Sequence, residues 1–194
     1  MPATRLALAL GANLPSSAGS PHQTLLAVRP QLEVVLAGWA DSGLDGASGR
    51  DDGRDQGFRC AWSPLLDTAP VGGPPDQPSY LNAVVLVTGD LGDPCLEKAL
   101  ALLDQLHAIE RQFGRDRARE QRWGPRPLDL DLLFWEELRL DHQRLQLPHP
   151  RLHLRDFVLQ PLLAAMTGSA SWDEQPVMLG PSDLPASHGS AAAS

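Results

Sequence analysis

Asp129 and Asp131 stand two positions apart in Leu128-Asp129-Leu130-Asp131-Leu132, a stretch that alternates apolar and acidic residues. Successive side chains of a strand point to opposite faces, so the aspartates fall on one face and the three leucines on the other. Their Cα atoms then lie about 6.5 Å apart. Carboxylates so spaced can converge on one Mg²⁺ or bracket a pair, the hard oxygen ligation magnesium takes when it also holds substrate phosphates. Immediately upstream, Arg122-Trp123-Gly124-Pro125-Arg126 adds two guanidiniums suited to phosphate oxygens and an aromatic ring. The run that follows through Phe134 and Trp135 reads as buried, where a carboxylate pair without a cation is costly. A plainer account remains open: the arginines neutralise the aspartates, and the alternation marks a solvated strand face.

The charge distribution favours a small anionic ligand. The net charge is −8, which argues against a general nucleic-acid binder. Of 16 basic residues 15 are arginine, and Arg111, Arg115, Arg117, Arg119, Arg122 and Arg126 fall within 16 positions. Such a patch of planar forks in an acidic chain suits phosphate or carboxylate recognition. Cys60 and Cys95 lack metal-ligand spacing and are expected to be reduced thiols. The apolar run after Arg5 is too short for a signal or membrane segment, so a cytoplasmic protein without membrane or nucleic-acid partners is expected.

Positioning these groups requires a sheet. Residues 5–10 read as a buried first strand ending at Gly11-Ala12-Asn13, and Ser20-Pro21 as a helix start. The first helix is expected to kink or restart at Pro30. Residues 61–68 form a second strand that Pro64 confines to an edge or a bulge. The Pro- and Gly-rich residues 69–78 form a binding loop, and Tyr80 and Asn82 are the polar pair at the start of an apolar central strand. A helix opened by Asp93-Pro94 ends at Gly114, and an arginine-rich loop leads to the Asp129 strand. A short strand at 138–140, an extended bend at Pro148-His149-Pro150 and a helix over 157–165 capped by Asp156 close the fold. Strand–helix–strand–strand–helix–strand order gives an α+β fold, a ferredoxin-like (βαββαβ) antiparallel sheet with helices packed on it and C-terminal additions. One catalytic domain over 1–166 is expected, with 41–57 as a flexible insertion and 167–194 as a mobile tail.

These motifs together resemble the 6-hydroxymethyl-7,8-dihydropterin pyrophosphokinase family. Arg122-Trp123-Gly124-Pro125-Arg126 with Asp129-Leu130-Asp131-Leu132-Leu133 resembles its signature. Gly11-x-Asn13-Leu14, Thr68-x-Pro70-Val71-Gly72, Gln77-Pro78-x-Tyr80-Leu81-Asn82-Ala83, Glu110-Arg111-x-x-Gly114-Arg115-x-Arg117 and Pro148-His149-Pro150-x-Leu152-x-x-Arg155-x-Phe157 follow in family order, covering roughly residues 5–165. The resemblance implies transfer of the terminal diphosphate of ATP to the pterin hydroxymethyl group with release of AMP, a step of folate biosynthesis.

It implies Asp129 and Asp131 as ligands of two Mg²⁺ ions and, with Arg115 and Arg126, as catalytic residues. Arg115, Arg117, Trp123, Arg126, Leu132, Arg144, His149 and Arg155 would meet ATP. Thr68, Pro70, Val71, Tyr80, Asn82, Trp123 and Phe157 would line the pterin slot. The chain departs from the family at Ala12, where Ser is frequent, at Leu66, where an aromatic is common, and at His107, where a polar amide can meet the nucleotide. A monomer is expected. Two other classes stay in view: a single-stranded RNA-binding module on an exposed sheet face, and a catalytically silent relative.

Overall fold

The computed structural model describes residues 4–42, 58–168 and 177–178. The expected insertion at 41–57 lies outside them from residue 43 onward, as does most of the expected tail. Strand β1 (Thr4–Ala12) leads through a turn to helix α1 (Pro21–Asp41). Ser20 caps that helix in a reciprocal box with Gln23. It runs as one element through Pro30, without the expected restart.

The expected second strand is two pieces, β2 (Phe58–Trp62) and β3 (Leu66–Thr68), which pair antiparallel with the same partner, β4 (Tyr80–Gly89). Pro64 has no N–H to give the ladder. Buried Ser63 bridges the break: its N–H donates to the Val84 carbonyl at 2.9 Å, and its hydroxyl accepts from the Val84 N–H at 2.9 Å. Helix α2 (Leu96–Gln112) begins two residues later than Asp93-Pro94 suggests, after Cys95, and Gly114 with φ +91° closes it. Strand β5 (Asp129–Trp135) then pairs with β1.

The sheet order is β5-β1-β4-β3, with β2 also on β4, and these pairs are antiparallel. With α1 and α2 between the strands, this is the expected ferredoxin-like arrangement. A small hairpin, β6 (Leu140–His142) and β7 (Leu145–Leu147), replaces the single strand expected near 138–140. A 3-10 turn (Leu152–Leu154) precedes α3 (Asp156–Thr167). Asp156 is the first residue of that helix and not its cap, a place held by Arg155. Within the segment expected as a mobile tail, Val177–Met178 pairs parallel with β3 as strand β8.

Two cores form because the sheet has two faces. On one, Leu6, Leu8 and Leu10 of β1 and Leu130 and Leu132 of β5 pack against α1 and α2. Trp39 of α1 meets Trp135 edge-on at 4.9 Å there. On the other, Val158, Leu162 and Ala165 of α3 cover Ala7, Val84, Leu86 and Leu133. The β1–β5 register jumps from Phe134 to Leu132 and leaves Leu133 as a bulge. That extra residue lets Leu133 and Phe134 both turn towards α3 while Trp135 returns to the first core. Because α3 covers only part of the second face, the sheet stays open where β1, β4 and β5 carry Ala9, Gly11, Asn82, Asp129 and Asp131.

Candidate active site

The open end of that face is the floor of a cavity of about 760 Å³. Gly11 lies between Asn82 and Asp129 in the sheet, and Ala9 lies beside Asp131. A β-carbon on Gly11 would come within 3.2 Å of the Asn82 side-chain oxygen, so the absent side chain keeps the floor open. Thr68, Pro70, Val71 and Gly72 form one wall, Trp123 and Arg126 another, and Arg151, Arg155 and Phe157 a third.

Of the residues singled out from sequence, Thr68, Pro70, Val71, Tyr80, Asn82, Trp123, Arg126, Asp129, Asp131, Arg155 and Phe157 line this cavity. Asn82 donates to the Thr68 hydroxyl at 2.8 Å, which fixes its amide with an oxygen that takes no hydrogen bond among the described residues. Tyr80 donates to the Gly124 carbonyl at 2.9 Å.

Asp129 and Asp131 share the cavity face, yet their surroundings differ. Arg115 and Arg126 both donate to Asp129 Oδ1. Burial alone would raise the Asp129 pKa, but these two guanidiniums outweigh it and hold the carboxyl below its usual range. Among the described residues Asp131 is paired only with Arg155, 4.0 Å away. Burial and then the charge of Asp129 push its pKa upward. An under-neutralised carboxylate beside an ionised one is an electrostatic demand for a cation. Among the described residues no group of three His, Cys, Asp or Glu side chains is arranged to hold a metal. A hard ion here would therefore complete its shell with water and ligand oxygens, a donor set that fits Mg²⁺ arriving with a polyphosphate.

Arg115 does not line the cavity; it is buried beneath Asp129. Its Nη1 donates to Glu110 at 2.6 Å and to Asp129, and its Nε and Nη2 form a fork on Glu120 at 2.7 and 3.0 Å. Arg117 also turns inward, donating from Nη2 to Glu110 at 2.6 Å. Glu110, fully buried on α2, takes a further bond from the Leu130 N–H at 2.8 Å. Burial pushes the Glu110 pKa upward against the pull of both arginines. With donors on both oxygens, the geometry holds the carboxylate form.

Three other expected contacts lie off the lining. Leu132 points into the helix-side core and is 2% exposed, because it alternates with Asp131. Arg144 pairs with Asp104 on α2. His149 sits behind Arg155, its backbone N–H donating to the Leu133 carbonyl at 2.7 Å. Burial, then the charges of Arg155 and Arg151, lower its pKa.

Asn13, 2% exposed, is a positioning residue that the sequence reading left out of the site. Its amide donates to the Pro78 carbonyl at 3.1 Å, and its oxygen accepts the Arg126 N–H at 2.7 Å. One side chain thus joins the β1 turn, the 69–78 loop and the segment before β5. Glu110 was legible as the acid on an otherwise apolar stripe with Leu103 and Leu106. Glu120 gave no such signal, since its partner is set by how the loop folds back.

Trp123 has φ +59°, a conformation costing about 1–3 kcal/mol for a bulky residue. Its neighbours hold it there. Arg122 and Arg151 lie over its ring at 4.7 and 4.9 Å, and a β-carbon on Gly73 would fall 2.2 Å from its carbonyl oxygen. The RNA-binding alternative is disfavoured, because α3 covers part of that sheet face and the open part carries Asp129 and Asp131.

A sequence model of the 7,8-dihydro-6-hydroxymethylpterin-pyrophosphokinase family matches residues 7–167. The chain is 47% identical over 90 residues to the 2-amino-4-hydroxy-6-hydroxymethyldihydropteridine pyrophosphokinase of Synechocystis, covering 46% of this chain and 42% of that protein. It is 46% identical over 102 residues to the protein of the same name from Pseudomonas aeruginosa, covering 53% and 57%. A mitochondrial folate synthesis bifunctional protein of Arabidopsis thaliana matches at 45% over 106 residues, covering 55% of this chain and 17% of the relative. The aligned region spans about half the length of the two bacterial relatives.

Proposed function

The chain belongs to the 7,8-dihydro-6-hydroxymethylpterin-pyrophosphokinase family, and on that premise we propose that it transfers the terminal diphosphate of ATP to 6-hydroxymethyl-7,8-dihydropterin. The hydroxymethyl oxygen forms a bond to the β-phosphorus, the bond from that phosphorus to the α–β bridging oxygen breaks, and AMP leaves with the bridging oxygen. The hydroxyl proton is lost to solvent. The observation that carries the reading is the pairing, in one cavity, of an aromatic slot with two carboxylates of unequal neutralisation.

The slot suits a flat heterocycle. Trp123 and Phe157 offer ring faces, and the free oxygen of Asn82 accepts from a ring N–H or amino group. Asp129 and Asp131 would hold Mg²⁺, which supplies positive charge on the phosphate oxygens as negative charge moves onto the leaving group. Arg126 and Arg155 add guanidiniums beside those carboxylates, placed to orient the diphosphate. Diphosphate transfer asks mainly for alignment and charge stabilisation, so the site needs no protein nucleophile.

Arg115 and Arg117 belong to the expected nucleotide set but face inward on Glu110 and Glu120. In this arrangement their work is positional: they fix Asp129 and the loop that carries Trp123. Incubation with ATP, Mg²⁺ and 6-hydroxymethyl-7,8-dihydropterin, with identification of both products, tests the function. AMP and the pterin diphosphate are expected. ADP as product, or no turnover, overturns the assignment.

A further inference from the structure

The Glu120 side chain has one hydrogen-bonding partner among the described residues, and both its oxygens accept from it. Arg115 donates from Nε at 2.7 Å and from Nη2 at 3.0 Å, a two-point fork between a loop carboxylate and a guanidinium buried beneath the cavity floor. Glu120 lies outside the strands and helices and belongs to neither core. Packing therefore gives no reason for an acid at this position.

A guanidinium is planar, so fixing its Nε–Nη2 edge fixes where Nη1 points. Here Nη1 meets Glu110 at 2.6 Å, the Leu128 carbonyl at 3.3 Å and Asp129. Each of these is a single contact about which the plane can turn. Glu110 adds no second one, because its Oε1 also accepts from the Leu130 N–H and its Oε2 is taken by Arg117. The fork on Glu120 is thus what sets the plane. Asp129 receives both Arg115 and Arg126 on Oδ1, and its Oδ2 takes no hydrogen bond among the described residues.

We propose, resting on the metal-dependent transfer proposed above, that Glu120 is a positioning residue for Asp129: it orients Arg115, and Arg115 holds the carboxylate so that Oδ2 is presented to the cation. A plainer role would be anchoring the loop, since Glu120 stands three positions before Trp123. The two roles differ in their dependence on metal.

Calorimetric titration of the full chain with a nonhydrolysable ATP analogue, once with Mg²⁺ and once with a chelator in its place, gives the metal-dependent gain in affinity. Glu120→Gln keeps the size of the side chain and removes the charged fork. The gain should fall about 10-fold, as when the hydrogen-bonding partner of a metal ligand is disturbed, while metal-free binding stays within about 2-fold of wild type. Arg115→Lys cannot form the fork, so Glu120→Gln added to it should lower the gain no further. Equal losses with and without metal make Glu120 a loop anchor and overturn the proposal. An unchanged gain, or a further loss in the Arg115→Lys background, overturns it as well. A wild-type protein that binds the analogue equally with and without Mg²⁺ removes the metal reading of Asp129 and Asp131 itself, and one that does not bind it removes the proposed function. Retained metal-free binding by Glu120→Gln also shows that the variant is folded.

Discussion

At the scale of single residues, the asymmetry between Asp129 and Asp131 governs what substitution does. Asp129→Asn or Asp131→Asn removes one charge from the pair without removing volume. Turnover is expected to fall at least ~10²-fold in both, by analogy with other groups that stabilise transition-state charge; Asp131→Asn should keep its thermal stability, whereas Asp129→Asn should lose some, because Arg115 and Arg126 both donate to that carboxylate. Steady-state assays beside melting curves check this, and near-wild-type turnover in either variant refutes the metal role. Glu110 has the opposite profile. It is buried under Arg115, Arg117 and the Leu130 N–H, so Glu110→Ala takes from Arg117 its ion-pair partner among the described residues, removes one of the three carboxylates around Arg115 and strands a backbone donor. Urea denaturation should register a loss of about 3–5 kcal/mol, as for breaking a buried ion pair.

His107 supplies a pH dependence away from the carboxylate pair. Burial, then the charges of Arg117, Arg115 and Arg144 against the opposing Asp104, lower its pKa from 6.5 to about 4. The unfolded chain therefore takes up this proton first as the pH falls. The contribution of His107 is intact above 6.5, declines as pH drops from about 6.5 to about 4, and falls no further below that. His107→Gln should flatten that part of the melting-temperature profile, and an unchanged slope between pH 6.5 and 4 counts against the burial argument.

At the scale of elements, the site depends on three loops converging on one sheet end. Asn13 links them through Pro78 and Arg126, and Gly72 and Gly73 let the 69–78 loop press on Trp123. Asn13→Ala leaves the Pro78 carbonyl and the Arg126 N–H without that partner. A destabilisation of about 1–3 kcal/mol is expected, together with a raised KM for the pterin, since both slot walls hang on this side chain. A KM matching wild type would show that the walls hold their places without it. The strands were legible in their apolar runs, and the missing donor of Pro64 pointed to an edge or a bulge within 61–68. The split into β2 and β3 was not, because it rests on buried Ser63 substituting for a ladder bond to Val84.

At the scale of the whole molecule, α3 covers one half of the second sheet face and leaves the other half as cavity floor. That division lets a small α+β domain carry a core on both faces and still expose carboxylates. A nonhydrolysable ATP analogue with Mg²⁺ should slow hydrogen exchange in residues 69–78 and 115–121 together, because Trp123 and Gly73 pack those loops against each other. Unchanged exchange in either loop would separate them. No described helix is long and apolar enough to cross a membrane.

Residue order alone determined that Asp129 and Asp131 share a face and that Leu128, Leu130 and Leu132 take the other, because strand alternation is a local property. It also determined the central strand–helix–strand–strand–helix–strand order and, through the motifs around Trp123, Asn82 and His149, the family. Tertiary structure decided which charges meet. Arg115 and Arg126 lie 14 and 3 positions before Asp129, yet both donate to the same oxygen, while Asp131 is left with Arg155 at 4.0 Å. It also decided that Arg151 covers Trp123. Such pairings depend on how loops fold back over the sheet and on how far each group is removed from water. Neither distance nor desolvation is written in local spacing.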